Sequence, residues 1–259
     1  MVIDLTTLAL LAVVGLVAGF VDSIAGGGGL LALPSLLLAG LDPVSALATN
    51  KLQGTFGTAS ATHRFWKGGL LEPKRHLTEV ILVFCSAALG VLAVAHVPIR
   101  LLQGAMPAIL ILIAVYFAFA PKLSVDGSKP KMPYAAFAFA LAPAIGFYDG
   151  IFGPGTGSFF MLALVSLFGL GIVEATGRTK LLNFTSNSAA LLMFLLGGKI
   201  IWSIGLTMGL AQLIGAQLGA KLAIRNGASV IRPLLVLVCI AMAIKLLLDP
   251  SNPFRAFFP

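Results

Sequence analysis

Long apolar runs, separated by short polar stretches, fill almost the whole chain. In the first half they extend over residues 5–21, 30–39, 44–62, 77–95 and 101–120. In the second half, after a polar stretch at 121–133, they extend over residues 134–152, 158–170, 174–196, 200–220 and 230–248. We expect a helix in every run, because a lipid bilayer leaves an open chain no other way to satisfy its backbone polar groups. The second run of each half is too short for a full crossing and predicts a half-span or a re-entrant segment.

The two halves of the chain resemble each other. Residues 19–28 read GFVDSIAGGG and residues 146–155 read GFYDGIFGPG, with six identities in ten positions. Further along, the Lys51-Leu52 pair has a counterpart in Lys180-Leu181. The sequence therefore predicts a duplicated unit, with a first transmembrane repeat at 1–120, a cytoplasmic linker at 121–133 and a second transmembrane repeat at 134–259.

The distribution of charge predicts how the repeats are oriented. Four basic residues lie between positions 64 and 75, after the third run of the first half, whereas Lys199 alone marks the matching turn of the second half. Basic loops stay on the cytoplasmic side, so the third runs should cross in opposite directions and both termini should face away from the cytoplasm. The predicted fold is an all-α polytopic membrane protein with two inverted-topology repeats. Each has about five helical segments, with a short or broken helix after a glycine-rich loop.

Composition excludes a soluble enzyme. Of the 259 residues, 59% are hydrophobic and 10% are charged, and the mean hydropathy is +1.04. The net charge of +8 comes mainly from short loops, which is typical of a membrane protein and not of a nucleic-acid-binding face. Cys85 and Cys239 lie inside apolar runs, and the three histidines are scattered. We therefore predict no enzymatic activity, no catalytic residue, no metal site, no cofactor and no nucleic-acid partner.

A glycine-rich interruption follows the first run of each half. Asp22 precedes Gly26, Gly27, Gly28 and Gly29, and Asp149 precedes Gly153, Gly155, Thr156 and Gly157. Non-helical backbone at membrane depth occurs only inside protein or beside water, and glycine lets backbone N–H groups approach a ligand closely. Paired interruptions of this kind predict a substrate pathway, and a purely structural turn is the alternative.

The two aspartates of these interruptions have two interpretations. A carboxylate at a broken helix can cap backbone N–H groups. Alternatively, Asp22 or Asp149 could relay a coupling proton or sodium ion, because an ionisable group inside the membrane is costly and marks a functional site.

Polar residues also interrupt the third run of each half. They are Asn50, Lys51 and Gln53 in the first half, and Arg178, Lys180 and Asn183 in the second. Lys51 lies near the middle of its run, where a charge costs about 2.5 to 3.5 kcal/mol on insertion scales. We expect it to face inward beside Gly26 to Gly29, either as part of a substrate site or in an ion pair with Asp22 or Asp149. For Arg178 and Lys180, extension of the side chain to the membrane interface is the alternative to a site role.

Other residues of the runs are predicted to be structural. Glu79 lies near the end of its run and is expected at the membrane interface, as are Trp66 and Trp202. Close helix packing is predicted at three GxxxG spacings: Gly15 and Gly19, Gly205 and Gly209, and Gly215 and Gly219.

The segment GFVDSIAGGGGLLALPSLLLAGLDPVSALATNKLQGTFG and its counterpart from Gly146 resemble the TauE/SafE family of bacterial membrane transporters, also called the sulfite exporter family. The resemblance covers nearly the whole chain. It implies a multi-pass protein of the bacterial inner membrane that carries sulfite, thiosulfate or an organosulfonate by alternating access, usually as an exporter.

The resemblance also implies a set of site residues. The positions implied for substrate are Gly26, Gly27, Gly28, Gly29, Asn50, Lys51, Gln53, Gly153, Gly155, Thr156, Gly157, Arg178, Lys180 and Asn183, with Asp22 and Asp149 for coupling or helix capping. The implied partners are a small anion, a coupling proton or sodium ion, and the lipid bilayer. The alternatives are an ion channel or cation transporter that uses the two aspartates, and a membrane scaffold that transports nothing.

Overall fold

The computed structural model describes residues 4–94, 96–98 and 129–226, together with positions 101, 108, 109, 111, 112, 115, 127, 240 and 244. Every regular element in this part of the chain is a helix, so the all-α prediction is confirmed. The predicted runs at 101–120 and 230–248 lie almost entirely outside the described residues.

The helices follow the predicted runs closely. In the first half they are α1 (Leu5–Ala25), α2 (Gly28–Leu38), α3 (Pro43–Lys67) and α4 (Leu77–Val94), the last preceded by a 3₁₀ turn at Pro73–His76. In the second half they are α5 (Tyr134–Ile151), α6 (Thr156–Leu167), α7 (Ile172–Gly197) and α8 (Trp202–Asn226). The short second helix of each half is also confirmed: α2 has 11 residues and is about 16 Å long, half the thickness of the hydrocarbon core.

Three helices are long and apolar enough to cross a membrane, as judged over the described residues. They comprise Leu5–Ile24, Pro73–Val94 and Tyr134–Ile151. The central helices α3 and α7 are longer, at 25 and 26 residues, but carry many polar side chains on their buried faces. The outer helices therefore supply most of the apolar surface, and the central pair carries the polar groups.

Local sequence signals set where α3 begins. Pro43 occupies the first turn, where its missing N–H group costs nothing, and the Asp42 carboxylate accepts hydrogen bonds from the backbone N–H groups of Val44 and Ser45, both at 3.1 Å. Burial raises the pKa of Asp42, but the hydrogen bonds from Ser45 and Val44 outweigh it and hold the pKa below its ordinary value. The carboxylate therefore stays ionised at neutral pH as a helix cap.

Glycines let the first helix of one half pack directly on the fourth helix of the other. An added Cβ on any of four glycines would lie within 2.6 Å of a backbone oxygen of the facing helix: Gly15 and Gly19 of α1, and Gly215 and Gly219 of α8. The GxxxG prediction of close packing is confirmed at these positions. In the same way, Gly146 and Gly150 of α5 lie against α4. The two halves therefore interlock through α1 with α8 and through α4 with α5.

Contacts at two positions along α3 show its direction relative to α8 and to α7. Leu52 and Phe56 of α3 contact Gly205 and Gly209 of α8 in the same order, so these helices are parallel. By contrast, Gly54 lies against Asn187 and Phe65 lies against Gly177, so α3 and α7 are antiparallel. Opposite crossing of the two third helices is what an inverted duplication requires. Inversion of the complete repeats stays a prediction.

The charge distribution leads to a labelling prediction for the turns at the two ends of the bundle. In a background with Cys85→Ala and Cys239→Ala, a cysteine in place of exposed Lys199 should react with a membrane-impermeant maleimide added to intact cells. A cysteine in place of exposed Glu72, in the basic turn, should react only after the cells are permeabilised. The reverse pattern would invert the assigned topology. The sequence also predicts external labelling at Ser251 and none at Ser128, two positions outside the described residues.

Candidate functional site

Two glycine-rich segments, residues 26–29 and 153–157, meet inside the helix bundle. We call them the glycine loops, and each runs into the first turn of the next helix, α2 from Gly28 and α6 from Thr156. Gly26 ends α1 with φ of 75°, and Gly153 and Gly155 have φ of 90° and 78°. A Cβ on Gly26 would lie 2.2 Å from the carbonyl carbon of Gly157, so the two backbones are in direct contact. Only glycine combines this left-handed backbone with so close an approach. The sequence-predicted loops of the two halves are thus brought together at one point.

Each aspartate bridges the break in its own half. Asp22 Oδ1 accepts a hydrogen bond from the backbone N–H of Gly28 at 3.2 Å, at the start of α2. Asp149 Oδ1 accepts one from the hydroxyl of Thr156 at 2.6 Å, at the start of α6. The contact of Asp22 is that of a helix cap, which is one of the two interpretations given above, whereas Asp149 accepts from a side-chain hydroxyl and not from a backbone N–H group.

Each aspartate also pairs with a buried lysine of the opposite half. Lys51 Nζ lies 2.7 Å from Asp149 Oδ1, and Lys180 Nζ lies 3.2 Å from Asp22 Oδ2. Lys180 donates a second hydrogen bond to the backbone oxygen of Asp22. Both lysine side chains are 0% exposed, so neither extends to the membrane interface. We call these contacts the crossed pairs.

The position of Lys51 differs from the one expected from the sequence. Its ammonium group was expected beside Gly26 to Gly29, the loop of its own half. The structure places it beside the other loop, where a Cβ on Gly153 would lie 3.2 Å from Lys51 Nζ. The reason is the crossed pair with Asp149, which draws the lysine across the interface between the halves.

A small chamber lies between the glycine loops and the central helices. It offers about 20 Å³ to the centres of water-sized molecules, enough for one or two waters. Its lining residues are Asp22, Gly26, Gly29, Asn50, Gln53, Gly54, Thr58, Asp149, Gly153, Gly155, Thr156, Gly157, Asn183, Asn187 and Gln212. Lys51 and Lys180 are not among them and stand behind the aspartates with which they pair.

Amide side chains form much of the chamber wall. Gln53 Nε2 donates to Asn50 Oδ1 at 2.8 Å, and Asn187 Nδ2 donates to Asn183 Oδ1 at 3.2 Å. Four lining residues are not among those predicted from the sequence: Gly54, Thr58, Asn187 and Gln212. A signal existed for Asn187, which follows Asn183 by one helical turn and so shares its face.

Gln212 is the lining residue farthest along the chain. It lies on α8 between two GxxxG spacings, 2% exposed, and packs against Gly19 and Gly57. Its Oε1 atom has no hydrogen-bond partner in the described part of the structure. A polar glutamine inside an apolar run is the sequence signal for this position, and Gln217 of the same helix carries the same signal.

Arg178 lies apart from the chamber lining. It is 4% exposed, its guanidinium pairs with Glu79 of α4, and its Cζ lies 5.0 and 4.9 Å from the ring centroids of Phe137 and Phe168. The expected extension of Arg178 to the interface is therefore not observed. The interfacial placement of Glu79 is wrong, because this carboxylate is 0% exposed and neutralises a buried cation.

The structure has the features of a polytopic membrane transporter. Apolar helices enclose a polar chamber, broken helices meet at that chamber, and ion pairs join the two similar halves. The family model described as sulfite exporter TauE/SafE matches residues 11–246. The chain is 48% identical to a probable membrane transporter protein, ORF9, of Sinorhizobium sp, over 96% of this chain and 95% of that protein.

Two further relatives agree with this assignment. The identity is 43% to the probable membrane transporter protein YfcA of Escherichia coli strain K12, over 93% of this chain and 90% of that protein. The identity is 41% to a probable membrane transporter protein of Haemophilus influenzae, over 95% of this chain and 97% of that protein. No solved structure matches the chain significantly. The chain belongs to the TauE/SafE sulfite exporter family.

Proposed function

We propose that this transporter carries a small sulfur-containing anion, such as sulfite, thiosulfate or an organosulfonate, out of the cell across the bacterial inner membrane. The observation that supports this most is the chamber between the two glycine loops. It lies at the interface of the halves, where a relative movement of the halves would open it to either side of the membrane. In this proposal the protein is a transporter and not an enzyme.

The chamber wall suits an oxyanion. Glycine backbone N–H groups and the side-chain amides of Asn50, Gln53 and Asn183 are neutral donors, and sulfonate or sulfite oxygens accept several hydrogen bonds at once. The ammonium groups of the crossed pairs lie one layer behind this wall. Each is balanced by an aspartate, so the two pairs together add no net charge to the chamber.

The size of the chamber implies movement during transport. Space for one or two waters is too small for an anion of four or more heavy atoms, so the walls must separate for the substrate to enter. The contact between Gly26 and Gly157 is a backbone contact without interlocking side chains. In the proposed alternating-access cycle, this contact opens as the substrate enters from one side and closes behind it.

A cation transporter that uses Asp22 and Asp149 is the second candidate. Both aspartates line the chamber, which favours it. However, each carboxylate already pairs with a buried lysine, and a bound metal cation would have to displace an ammonium group that has no access to water. The crossed pairs therefore favour the anion.

Flux of labelled sulfite into proteoliposomes tests the proposed function. We expect saturable uptake that competes with thiosulfate and that responds to an imposed pH or sodium gradient. A cation transporter would show flux of labelled sodium without sulfite, and a scaffold would show neither. Sulfite uptake no greater than that of protein-free vesicles would contradict the proposal.

A further inference from the structure

The two crossed pairs differ in how many carboxylate oxygens of the aspartate have a partner. Asp22 uses both carboxylate oxygens, since Oδ1 accepts from Gly28 and Oδ2 pairs with Lys180. Asp149 uses only Oδ1, which accepts from Thr156 and lies beside Lys51. Its Oδ2 atom is buried and has no hydrogen-bond partner among the described residues. Buried polar oxygens without a partner are rare, so this one requires an explanation.

The two lysines differ in the same way. Lys180 Nζ donates to the carboxylate and to the backbone oxygen of Asp22. Lys51 Nζ is equally buried and lies 2.7 Å from Asp149 Oδ1, but it makes no hydrogen bond of normal geometry within the described part of the chain. Donor capacity is therefore left over at Lys51, and acceptor capacity is left over at its partner Asp149.

We propose that Asp149 Oδ2 is the proton-binding site of the transporter and that Lys51 binds the transported anion, while Asp22 and Lys180 form a fixed structural pair. The anion part of this inference rests on the proposed function. The proton part rests on the geometry of the pair alone. The paired residue types do not distinguish the two pairs, because each consists of one lysine and one aspartate at matching positions of the repeats.

The proposed step conserves charge. A proton from the aqueous side adds to Asp149 Oδ2 and forms a neutral carboxyl group, whose Oδ1 still accepts from Thr156. The Lys51 ammonium keeps its three protons and loses its counterion, so a monovalent anion entering beside Gly153 takes over that role. One proton and one anion thus bind together, and the net charge of the site is unchanged. An anion made at high concentration inside the cell would leave together with a proton.

Of the two carboxylates that line the chamber, Asp149 is the one with an oxygen left over. Glu79 Oε2 is also buried without a hydrogen-bond partner among the described residues, but it lies 3.6 Å from His76 Nδ1 and outside the chamber lining. From α3 it faces Lys51, and across the chamber it faces Asp22, whose oxygens are both engaged. On α7, Lys180 is held by Asp22, and Arg178 is held by Glu79 of α4. Tyr148, next to Asp149 on α5, donates its hydroxyl hydrogen to the backbone oxygen of Pro154 at 2.6 Å.

Infrared difference spectroscopy between alkaline and acidic pH tests the proton site without reference to a substrate. The purified full-length protein in lipid vesicles should show the band of a buried protonated carboxyl group, which lies apart from the bands of surface carboxyls. We expect the band to be lost in Asp149→Asn and kept in Asp22→Asn. Retention of the band in Asp149→Asn, its selective loss in Asp22→Asn, or its absence from the wild type would overturn the proposal.

Matched double variants guard against misfolding, because a single replacement leaves a buried lysine unpaired. Lys51→Met with Asp149→Asn should lose the band, and Lys180→Met with Asp22→Asn should keep it. A pH-sensitive dye gives the second readout, with methanesulfonate as the probe because a sulfonate is monovalent and does not itself titrate near neutral pH. At a pH where Asp149 is ionised, adding methanesulfonate to the wild type should cause uptake of about one proton per bound anion, and the proton should in turn raise the affinity for the anion. Methanesulfonate binding without proton uptake would contradict the coupled step. Absence of methanesulfonate and sulfite binding with an intact Asp149 band would instead contradict the proposed substrate.

Discussion

Replacing Lys51 by methionine should lower the free energy of unfolding by about 3 to 5 kcal/mol, since removal of one partner leaves a buried charge uncompensated. The side chain of Asp149 would remain in the interior without its ammonium counterion. The double variant Lys51→Met/Asp149→Asn should recover most of the loss, because it removes both charges at nearly constant volume. Denaturation of the purified protein in mild detergent measures both values. Equal loss in the single and double variants would contradict a stabilising pair.

The same double variant separates stability from substrate binding. If Lys51 binds the anion, affinity for labelled sulfite should stay low in the double variant although its stability has recovered. A hydrogen bond to a charged group contributes about 1.5 to 3 kcal/mol, which corresponds to an affinity loss of about tenfold to a hundredfold or slightly more. Lys199→Met is the control, because Lys199 is an exposed lysine in the α7 to α8 turn. Wild-type affinity in the double variant would remove Lys51 from the site.

Replacing Gly26 by alanine should have the second large effect. The residue has φ of 75°, and its new Cβ would lie 2.2 Å from the carbonyl carbon of Gly157. Left-handed backbone costs a residue other than glycine about 1 to 2 kcal/mol, and overpacking adds about 1 to 3 kcal/mol, so we expect a loss of about 2 to 5 kcal/mol. The yield of monodisperse protein and the rate of sulfite uptake should both fall strongly.

Gly197→Ala is the matched control for this prediction. Gly197 ends α7, has no left-handed backbone, and a Cβ there would meet nothing within 4 Å. The free energy of unfolding of Gly197→Ala should be unchanged or rise by up to about 1 kcal/mol, since alanine loses less backbone entropy on folding than glycine. Equal behaviour of the two variants would mean that contact between the loops does not constrain the fold.

The helices could be predicted from the sequence because a helix in a membrane is apolar over most of its length, so each apolar run marks the extent of one helix. The break between α1 and α2 was predictable because a run of glycines disfavours a continuous helix; the break falls at Gly26 and Gly27, and α2 begins at Gly28. The contact partners were not predictable in this way. Hydropathy indicates which segments lie in the membrane but not which segments contact each other. The packing of α1 on α8 is therefore known only from the structure.

Many of the residues of the site could also be predicted from the sequence, but their contact partners could not. Asn50, Gln53 and Asn183 line the chamber, because polar side chains that are unfavourable in lipid must face the interior. Of the predicted glycines, Gly26, Gly29, Gly153, Gly155 and Gly157 also line it, whereas Gly27 and Gly28 do not. Arg178 and Glu79 illustrate the limit. They lie 99 positions apart, and each was close enough to the end of its run to be placed at the interface. Their ion pair depends on the packing of α4 against α7, which no local pattern encodes.

The crossed pairs have a consequence for the history of the chain. A single unfused repeat contains both a lysine and an aspartate but cannot join them to each other, because each residue finds its partner in the other half. Such a repeat would need a second copy, and in a symmetric dimer the two pairs would be identical. Joining two copies into one polypeptide removes that requirement. Within one polypeptide the two pairs are free to differ, and Asp22 and Asp149 do differ in how many carboxylate oxygens have a partner.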